Sequence, residues 1–200
     1  MSLPLLASGV DLATYMQQDI DLAAAELALR TASAAIRRWT RQDITLVVGD
    51  VATLRGGERV LSLPQRPLVV GTDHPLTVVE LAEWGSPSQT LVEELGYSRL
   101  GNELTRGHPE YLGSWRGCVW APRVRVTYSH GYAEVPDDIA GVALDLAAAT
   151  LANPNRLRSE TVGGESVVYT VETFGTGSLT SSHREILEGY RRSAYSVRMR

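Results

Sequence analysis

The stretch VRVTYSHGYAEVPDDIAGVALDLAAATLANP, from Val124 to Pro154, contains one strand and one helix with clear boundaries. Apolar and polar residues alternate from Val124 to Ser129, which is the period of a strand with one buried face. Pro136 suits the start of a helix, because the first turn leaves the N–H that proline lacks without a partner. Asn153-Pro154 ends this helix, since a residue before proline disfavours helical backbone angles.

The helix that follows Pro136 is apolar on nearly every side. Asp145 is the only charged residue between Ile139 and Ala152. A helix that is apolar all round must be buried on most sides. We therefore expect this helix to be the centre of a helical bundle, or to be covered in part by another subunit.

A second helix is expected earlier in the chain, with Asp19 or Asp21 as its cap and its end near Gln42. Its apolar residues recur every three or four positions, which is the pattern of a helix packed on a partner helix. The arginines near its end are interpreted as solvated charges that the helix dipole favours. We expect the two helices to pack together through seven core residues: Leu22, Leu29, Ile36, Trp39, Ile139, Val142 and Leu146.

Between these helices the periodicity changes to short strands separated by glycine and proline. The segments Thr45–Leu54 and Arg59–Leu63 flank Gly56-Gly57 and are predicted to form a hairpin. The predicted fold class is therefore α+β. It is a helical bundle of N-terminal helices, a central buried helix and a C-terminal helix, with an inserted antiparallel β-rich region.

The whole chain, residues 1–200, is predicted to be a single domain. Its helical parts are residues 11–42 and 136–153, and the β-rich insertion covers about residues 45–130. Residues 159–200 are expected to hold a strand, a last helix and a tail. Ser181 or Ser182 is the predicted cap of that helix, with Glu185 placed for a capping box.

The composition bounds the classes of function. The chain is 44% hydrophobic, which suffices for a core, and its net charge of −4 gives no general attraction to nucleic acid or to a membrane. All 19 basic residues are arginine. The single cysteine, Cys118, excludes an internal disulfide and a cysteine-based zinc site. No apolar run reaches the length of about eighteen residues that would span a membrane.

A search for catalytic motifs finds none. Asp137 and Asp138 are explained by their position at a helix start, where the dipole favours negative charge. The sequence contains neither a phosphate-binding loop nor a nucleophile elbow. The sequence therefore predicts that the protein is not an enzyme and has no catalytic, cofactor-binding or metal site. The histidines lack the close spacing of a zinc-binding helix and are interpreted as exposed or locally hydrogen-bonded: His74, His108, His130 and His183.

Four motifs follow one another in the second half of the chain. Val126–Tyr132 reads VTYSHGY, Val135–Ile139 reads VPDDI, Asn153-Pro154 ends a small-residue helix, and Ser159–Val167 reads SETVGGESV. This order of motifs resembles the head-to-tail adaptor (head-tail connector) proteins of tailed bacteriophages. The likeness extends over the N-terminal helical region and the arginine- and tyrosine-rich C-terminus, and it is weakest between about Gly56 and Gly117.

The resemblance implies a structural virion protein in the neck of the particle, assembled in the host cytoplasm. Copies would form a homo-oligomeric ring of twelve subunits under the portal protein, extend the DNA channel and present a platform to a head-closure or tail protein. Double-stranded DNA would pass through without specific binding, and no membrane would be involved. The alternatives are a tail-completion or head-closure (stopper) protein and, from another class, a small hydrolase or nucleic-acid-binding accessory protein.

The C-terminal segment Gly189–Arg200 has four arginines and no acidic residue. Arginine interleaved with aromatic residues is enriched at the energetic centres of protein interfaces. We expect Tyr190–Arg200 to be mobile in the free subunit and ordered on the portal; the alternative is a helix end folded on its own subunit. The resemblance implies that the portal-binding residues are Tyr190, Arg191, Arg192, Tyr195, Val197, Arg198 and Arg200.

Overall fold

The computed structural model describes residues 3–81, 88–107, 118–153, 159–162, 165–168 and 179–192. These residues form two compact units. The helical unit comprises the described residues of Met1–Thr45 and Glu134–Arg200, and the strand unit comprises those of Leu46–Ala133.

The described part of the chain contains four helices and ten strands. The helices are α1 (Gly9–Met16), α2 (Leu22–Thr40), α3 (Asp137–Ala152) and α4 (Ser181–Glu188). The strands of the strand unit are β1 (Val47–Arg55), β2 (Val60–Ser62), β3 (Leu68–Val69), β4 (Thr77–Glu80), β5 (Gln89–Leu91), β6 (Tyr97–Leu100), β7 (Glu103–Arg106) and β8 (Arg123–His130). The helical unit adds an antiparallel pair, β9 (Ser159–Val162) and β10 (Glu165–Val168).

Asp21 caps α2, as the sequence predicts. Its carboxylate accepts hydrogen bonds from the N–H groups of Ala23 and Ala24, at 3.3 Å each. The cap of α4 differs from the prediction, because Thr180 takes the role given to Ser181 or Ser182. The Thr180 hydroxyl accepts from the N–H of His183 at 3.2 Å, and His183 replaces Glu185 as the second member of the capping box. An imidazole nitrogen serves there because it can accept the cap's N–H as a carboxylate does.

The helical unit is held together by the contact between α2 and α3, on which α1 and α4 also pack. Five of the seven predicted core residues are buried: Leu29, Ile36, Ile139, Val142 and Leu146. Trp39 is only half-buried. Leu22 is 59% exposed, because the buried stripe of α2 begins one turn later, at Ala25.

The predicted bundle around a central helix is wrong. α3 is buried along one stripe only, and its opposite side, which includes Ala140, Gly141 and Leu144, is half-buried. Small apolar residues raise the hydrophobicity of a helix without needing full cover, since each has little side-chain area to hide from water. Eight strands instead form a separate unit of antiparallel sheets, and only the pair β9 and β10 belongs to the helical unit, which agrees only with the broad α+β class.

The strand unit consists of two antiparallel sheets that share one core. A five-stranded sheet has the order β1-β8-β4-β5, with β3 also paired to β8, and a three-stranded sheet has the order β2-β7-β6. Both sheets contribute side chains to one buried cluster: Leu61, Leu63, Val78, Leu91, Tyr97, Leu104, Trp120, Val124, Val126 and Tyr128. The predicted alternation in β8 is confirmed up to Tyr128, because Val124, Val126 and Tyr128 are buried while Arg125 is exposed, but it is wrong at Ser129, which is buried.

The predicted hairpin at Gly56-Gly57 is wrong, because β1 pairs with β8 and β2 pairs with β7. The N–H groups of Gly56 and Gly57 donate to the carbonyls of Pro122 and Trp120, at 3.0 and 2.9 Å. A Cβ on Gly56 would come within 2.0 Å of the Ala121 carbonyl oxygen. The glycines therefore let the chain pass closely over Trp120–Pro122 as it moves from one sheet to the other.

Candidate interaction site

The segment after α4 is attached to the start of α3. The Tyr190 hydroxyl lies 2.8 and 3.0 Å from the two carboxylate oxygens of Asp138, to which it donates. The Tyr190 N–H donates to the Leu187 carbonyl at 3.0 Å. A hydrogen bond to a carboxylate is stronger than one between neutral groups. Tyr190 therefore fixes the end of α4 against α3.

The next two residues contact the end of α2. The Arg191 guanidinium carbon lies 5.0 Å from the centroid of the Trp39 ring, in the range of a cation–π contact. The Arg192 N–H donates to the Thr40 carbonyl at 2.9 Å. The last carbonyls of a helix have no partner within it, so this bond satisfies one of them. We call Tyr190–Arg192 with Trp39, Thr40 and Asp138 the C-terminal anchor.

The C-terminal anchor changes the expectation for the tail. Tyr190, Arg191 and Arg192 were expected to be mobile in the free subunit, but their contacts hold them on the helical unit. The remaining predicted portal-binding residues lie outside the described residues: Tyr195, Val197, Arg198 and Arg200. Portal binding stays a prediction, and Arg192 is the last residue that the anchor holds.

The sequence does not reveal the residues that receive this segment. Asp138 has a sufficient explanation at the start of α3, and Trp39 fits the apolar stripe of α2. Asp138 and Tyr190 are 52 positions apart in the chain, so no local spacing relates them. The one available signal is that Tyr190 and Arg191 carry hydrogen-bonding and cationic groups that need partners once the last helix packs on the others.

A second polar cluster joins three helices at Asp145. One carboxylate oxygen accepts a hydrogen bond from the Tyr15 hydroxyl of α1, and the other lies 3.4 Å from Nε2 of His183 in α4. Nδ1 of His183 accepts from the Thr180 N–H, which leaves Nε2 to carry the proton that faces Asp145. The hydrogen bond to Asp145 and the charge of that carboxylate raise the pKa of Tyr15 above its usual value. Asp145 thus has a structural role as a tie between α1, α3 and α4.

Arg37 is a structural residue rather than a solvated helix-end charge. Its Nε donates to the Asp43 carbonyl at 2.8 Å, and its Nη2 donates to the Pro4 carbonyl and to the Thr45 hydroxyl. Burial lowers the pKa of Arg37, and the charge of Asp43 partly opposes that shift. Ile44 lies between the bonded residues with a φ of 68°, a rare conformation for a β-branched residue. Arg37 therefore holds a strained segment in place.

The strand unit contains one ion pair with low exposure. The Arg106 side chain donates from Nε to one oxygen of Glu80 at 3.1 Å and from Nη2 to the other at 3.3 Å. The same carboxylate accepts from the Ala121 N–H at 3.0 Å. The Arg106 guanidinium also lies 5.9 Å from the centroid of the Trp120 ring. This pair fastens β4, β7 and the segment before β8.

No described histidine belongs to a metal site. His130 is buried with its Nε2 at 3.3 Å from Asp50 and so links β8 to β1, while His108 lies outside the described residues. In the part of the chain that the structure covers, no group of three or more His, Cys, Asp or Glu side chains is arranged to hold a metal ion. None of the helices in that part has the length and apolar character needed to cross a membrane.

Comparison with protein-family models and with curated proteins finds no match for this chain.

Proposed function

We propose that the chain is a structural virion protein, a head-to-tail adaptor that forms a ring under the portal and links the capsid to the tail. The proposal rests on the order of motifs from Val126 to Val167, which resembles that protein family. It also rests on the arginine and tyrosine content of the residues that follow the C-terminal anchor.

The composition of the residues that follow the C-terminal anchor is the observation that carries the proposal. The anchor holds the chain at Arg192 against the end of α2, and eight further residues follow that point. Those residues, SAYSVRMR, include Tyr195, Arg198 and Arg200 and no acid. A segment that begins at a fixed point on a folded unit loses less conformational entropy on binding than a segment that is free along its whole length. Arginine and tyrosine are the side chains that contribute most at interface centres.

The test is electron microscopy of the full chain mixed with the portal protein encoded by the same virus. The proposal expects a ring of this chain seated on the portal, with density for the residues that follow Arg192 inside the portal contact. Rings of the chain that never occupy the portal, or portal particles that stay bare at saturating concentration, would overturn the proposal.

A further inference from the structure

The outward side of the five-stranded sheet carries arginines, and the register of its described strands sets no acidic residue opposite them. Residues directly opposite across paired antiparallel strands lie on one face. β1 and β8 place Arg55 opposite Arg123 and Thr53 opposite Arg125, and β4 places Val79 on the other side of Arg125. We call this side of the sheet the outer arginine face; it consists of Val51, Thr53, Arg55, Thr77, Val79, Thr90, Arg123, Arg125 and Thr127.

The placement of the three arginines is unfavourable for the isolated subunit. Like charges directly opposite each other destabilise a sheet, and Arg125 adds a third charge two residues along the strand from Arg123. Among the residues that the structure describes, Arg55, Arg123 and Arg125 form no ion pair, whereas Arg106 of the same unit is paired with Glu80. Because Arg55 and Arg123 lie directly opposite each other, an anionic partner outside the subunit would relieve a repulsion that the isolated sheet retains.

The same chain carries a surface of the opposite charge. Its first basic residue is Arg30, and four acidic residues precede it: Asp11, Asp19, Asp21 and Glu26. The start of α2 also exposes Leu22, which is 59% exposed and lies one helical turn before Glu26. We call Asp19, Asp21, Leu22 and Glu26 the acidic patch. It combines carboxylates with apolar area, and the outer arginine face likewise combines its arginines with Val51, which is 57% exposed.

We propose that the outer arginine face of one copy binds the acidic patch of a second copy of this chain. The contact joins two different surfaces, so it is head-to-tail, and repeated contacts of that kind build a ring or an open filament. Guanidinium groups pair with carboxylates through parallel hydrogen bonds, and the exposed Leu22 covers Val51. The proposal deepens the adaptor function and rests on it, since it names the surfaces that would close the ring.

Nucleic acid fits the outer arginine face less well than a second copy. The net charge of −4 repels a polyanion at long range. None of the nine side chains of this face is aromatic, so bases would find no stacking partner on it. A phosphate backbone would also leave Val51 uncovered. The acidic patch supplies both the charge and the apolar area that the outer arginine face lacks.

The test measures self-association of the full chain by sedimentation velocity, without the portal. At low ionic strength the wild-type chain should associate in a concentration-dependent way, and added salt should weaken that association. The variant Arg123→Glu/Arg125→Glu should lower the association constant about tenfold or more, as should Asp19→Arg/Glu26→Arg, because each reverses one side of the contact. Asp21 is left unchanged because it caps α2.

Mixing the two reversed variants gives the decisive result. In the mixture the acidic patch of one variant meets the unchanged arginine face of the other, and the two reversed surfaces also match. Association should therefore return to the wild-type level. Arg38→Glu/Arg184→Glu is the matched control for Arg123→Glu/Arg125→Glu, since it lowers the net charge equally at exposed positions on helices and should associate as the wild type does. If a double variant melts early, Arg125→Glu and Glu26→Arg alone replace it.

Three outcomes would overturn the proposal: no association of the wild type at low salt, reversed variants that associate as well as the wild type, or a mixture that associates no better than its components. A fourth would be a gel shift in which Arg123→Glu/Arg125→Glu loses binding to double-stranded DNA while self-association is unchanged. The self-association assay contains no portal, so these outcomes would overturn the head-to-tail contact and would not bear on portal binding. Conversely, a chain that fails to bind the portal could still form the head-to-tail contact.

Discussion

Arg37 and Arg191, at the end of α2, differ from the arginines of the outer arginine face in what they contact. In the helical unit, Arg37 bonds to two carbonyls and a hydroxyl, and Arg191 covers Trp39. In the strand unit, Arg106 is paired with Glu80, but the arginines of the outer arginine face have no ion pair among the described residues. Arginine content therefore says little about binding until the internal partners of each guanidinium are known.

The difference separates positions that hold the fold from positions that are available to a partner. A guanidinium with several internal acceptors is costly to remove, because its partners stay behind without hydrogen bonds. A guanidinium in water is worth little to the stability of its own subunit. The variants below test this separation in order of expected effect on the free energy of unfolding.

The largest effect is expected in the packed core of the helical unit. Leu146 is 6% exposed in α3, and Leu146→Asp should lower the free energy of unfolding by about 4 kcal/mol or more, because it buries an unpaired charge and leaves a cavity. The control is Leu27→Asp at an exposed position of α2, which should change it by less than about 1 kcal/mol. Chemical denaturation measures both. Equal losses for the two variants would show that α3 is not packed as described.

The ion pair of the strand unit should come next. Glu80→Ala removes the acceptor of the Ala121 N–H and of two Arg106 donors. Among the described residues, Arg106 then keeps only its hydrogen bond to the Gly96 carbonyl. The substitution should lower the free energy of unfolding by about 3 kcal/mol, since breaking a pair with little exposure leaves a charge without its ionic partner. Arg125→Ala, on the outer arginine face, should change the free energy of unfolding by no more than about 0.5 kcal/mol. Urea midpoints compare the two. If Arg125→Ala were as damaging as Glu80→Ala, the outer arginine face would have a role in folding.

Arg37 gives the same comparison within one helix. Arg37→Met keeps most of the aliphatic side chain but removes the donors to Pro4, Asp43 and Thr45, and should cost about 2 kcal/mol. Arg38→Met, at the exposed neighbouring position, should be within about 0.5 kcal/mol of the wild type. Thermal melts of both variants provide the measurement. If Arg37→Met and Arg38→Met had the same melting temperature, Arg37 would be a solvated charge, as the sequence pattern indicates.

The smallest effect is a dependence on alkaline pH. The pKa of Tyr15 is raised in the folded chain, so the unfolded chain loses this proton first as pH rises. The stabilisation is fully present below the ordinary pKa of tyrosine, about 10, and is lost as pH rises through the higher folded value. Tyr15→Phe should therefore flatten this part of the stability–pH curve. A curve for Tyr15→Phe that falls as steeply as the wild type would assign the dependence to other groups.

Local patterns predict the elements of this chain better than their arrangement. The alternation in β8, the proline before α3 and the Asp21 cap depend on residues close in sequence, and the structure contains all three. The pairing of β1 with β8 joins Arg55 to Arg123, and no pattern within either strand encodes that choice of partner. Gly56-Gly57 resembles a hairpin turn because the glycine signal is the same for a turn and for a close backbone crossing.

The candidate site was predictable only in part. The arginine and tyrosine content of the C-terminal segment suggests an interface, but the contact of Tyr190 with Asp138 depends on how α4 packs on α3. The prediction of a central helix is wrong for a related reason. It depends on the number of apolar residues in α3 and takes no account of their size. Alanine and glycine on the half-buried side of α3 add to the number of apolar residues, but they are small enough that no other element has to cover that side.

The central claim is that the residues after the C-terminal anchor bind the portal. The direct measurement is the affinity of the immobilised portal for the full chain and for a chain truncated after Arg192, which keeps Tyr190 and Arg191 in place. We predict an unchanged melting temperature and a loss of affinity of about a hundredfold or more, because interface residues of this kind contribute upwards of 2 kcal/mol each. A truncated chain that binds the portal with the affinity of the full chain would contradict the account.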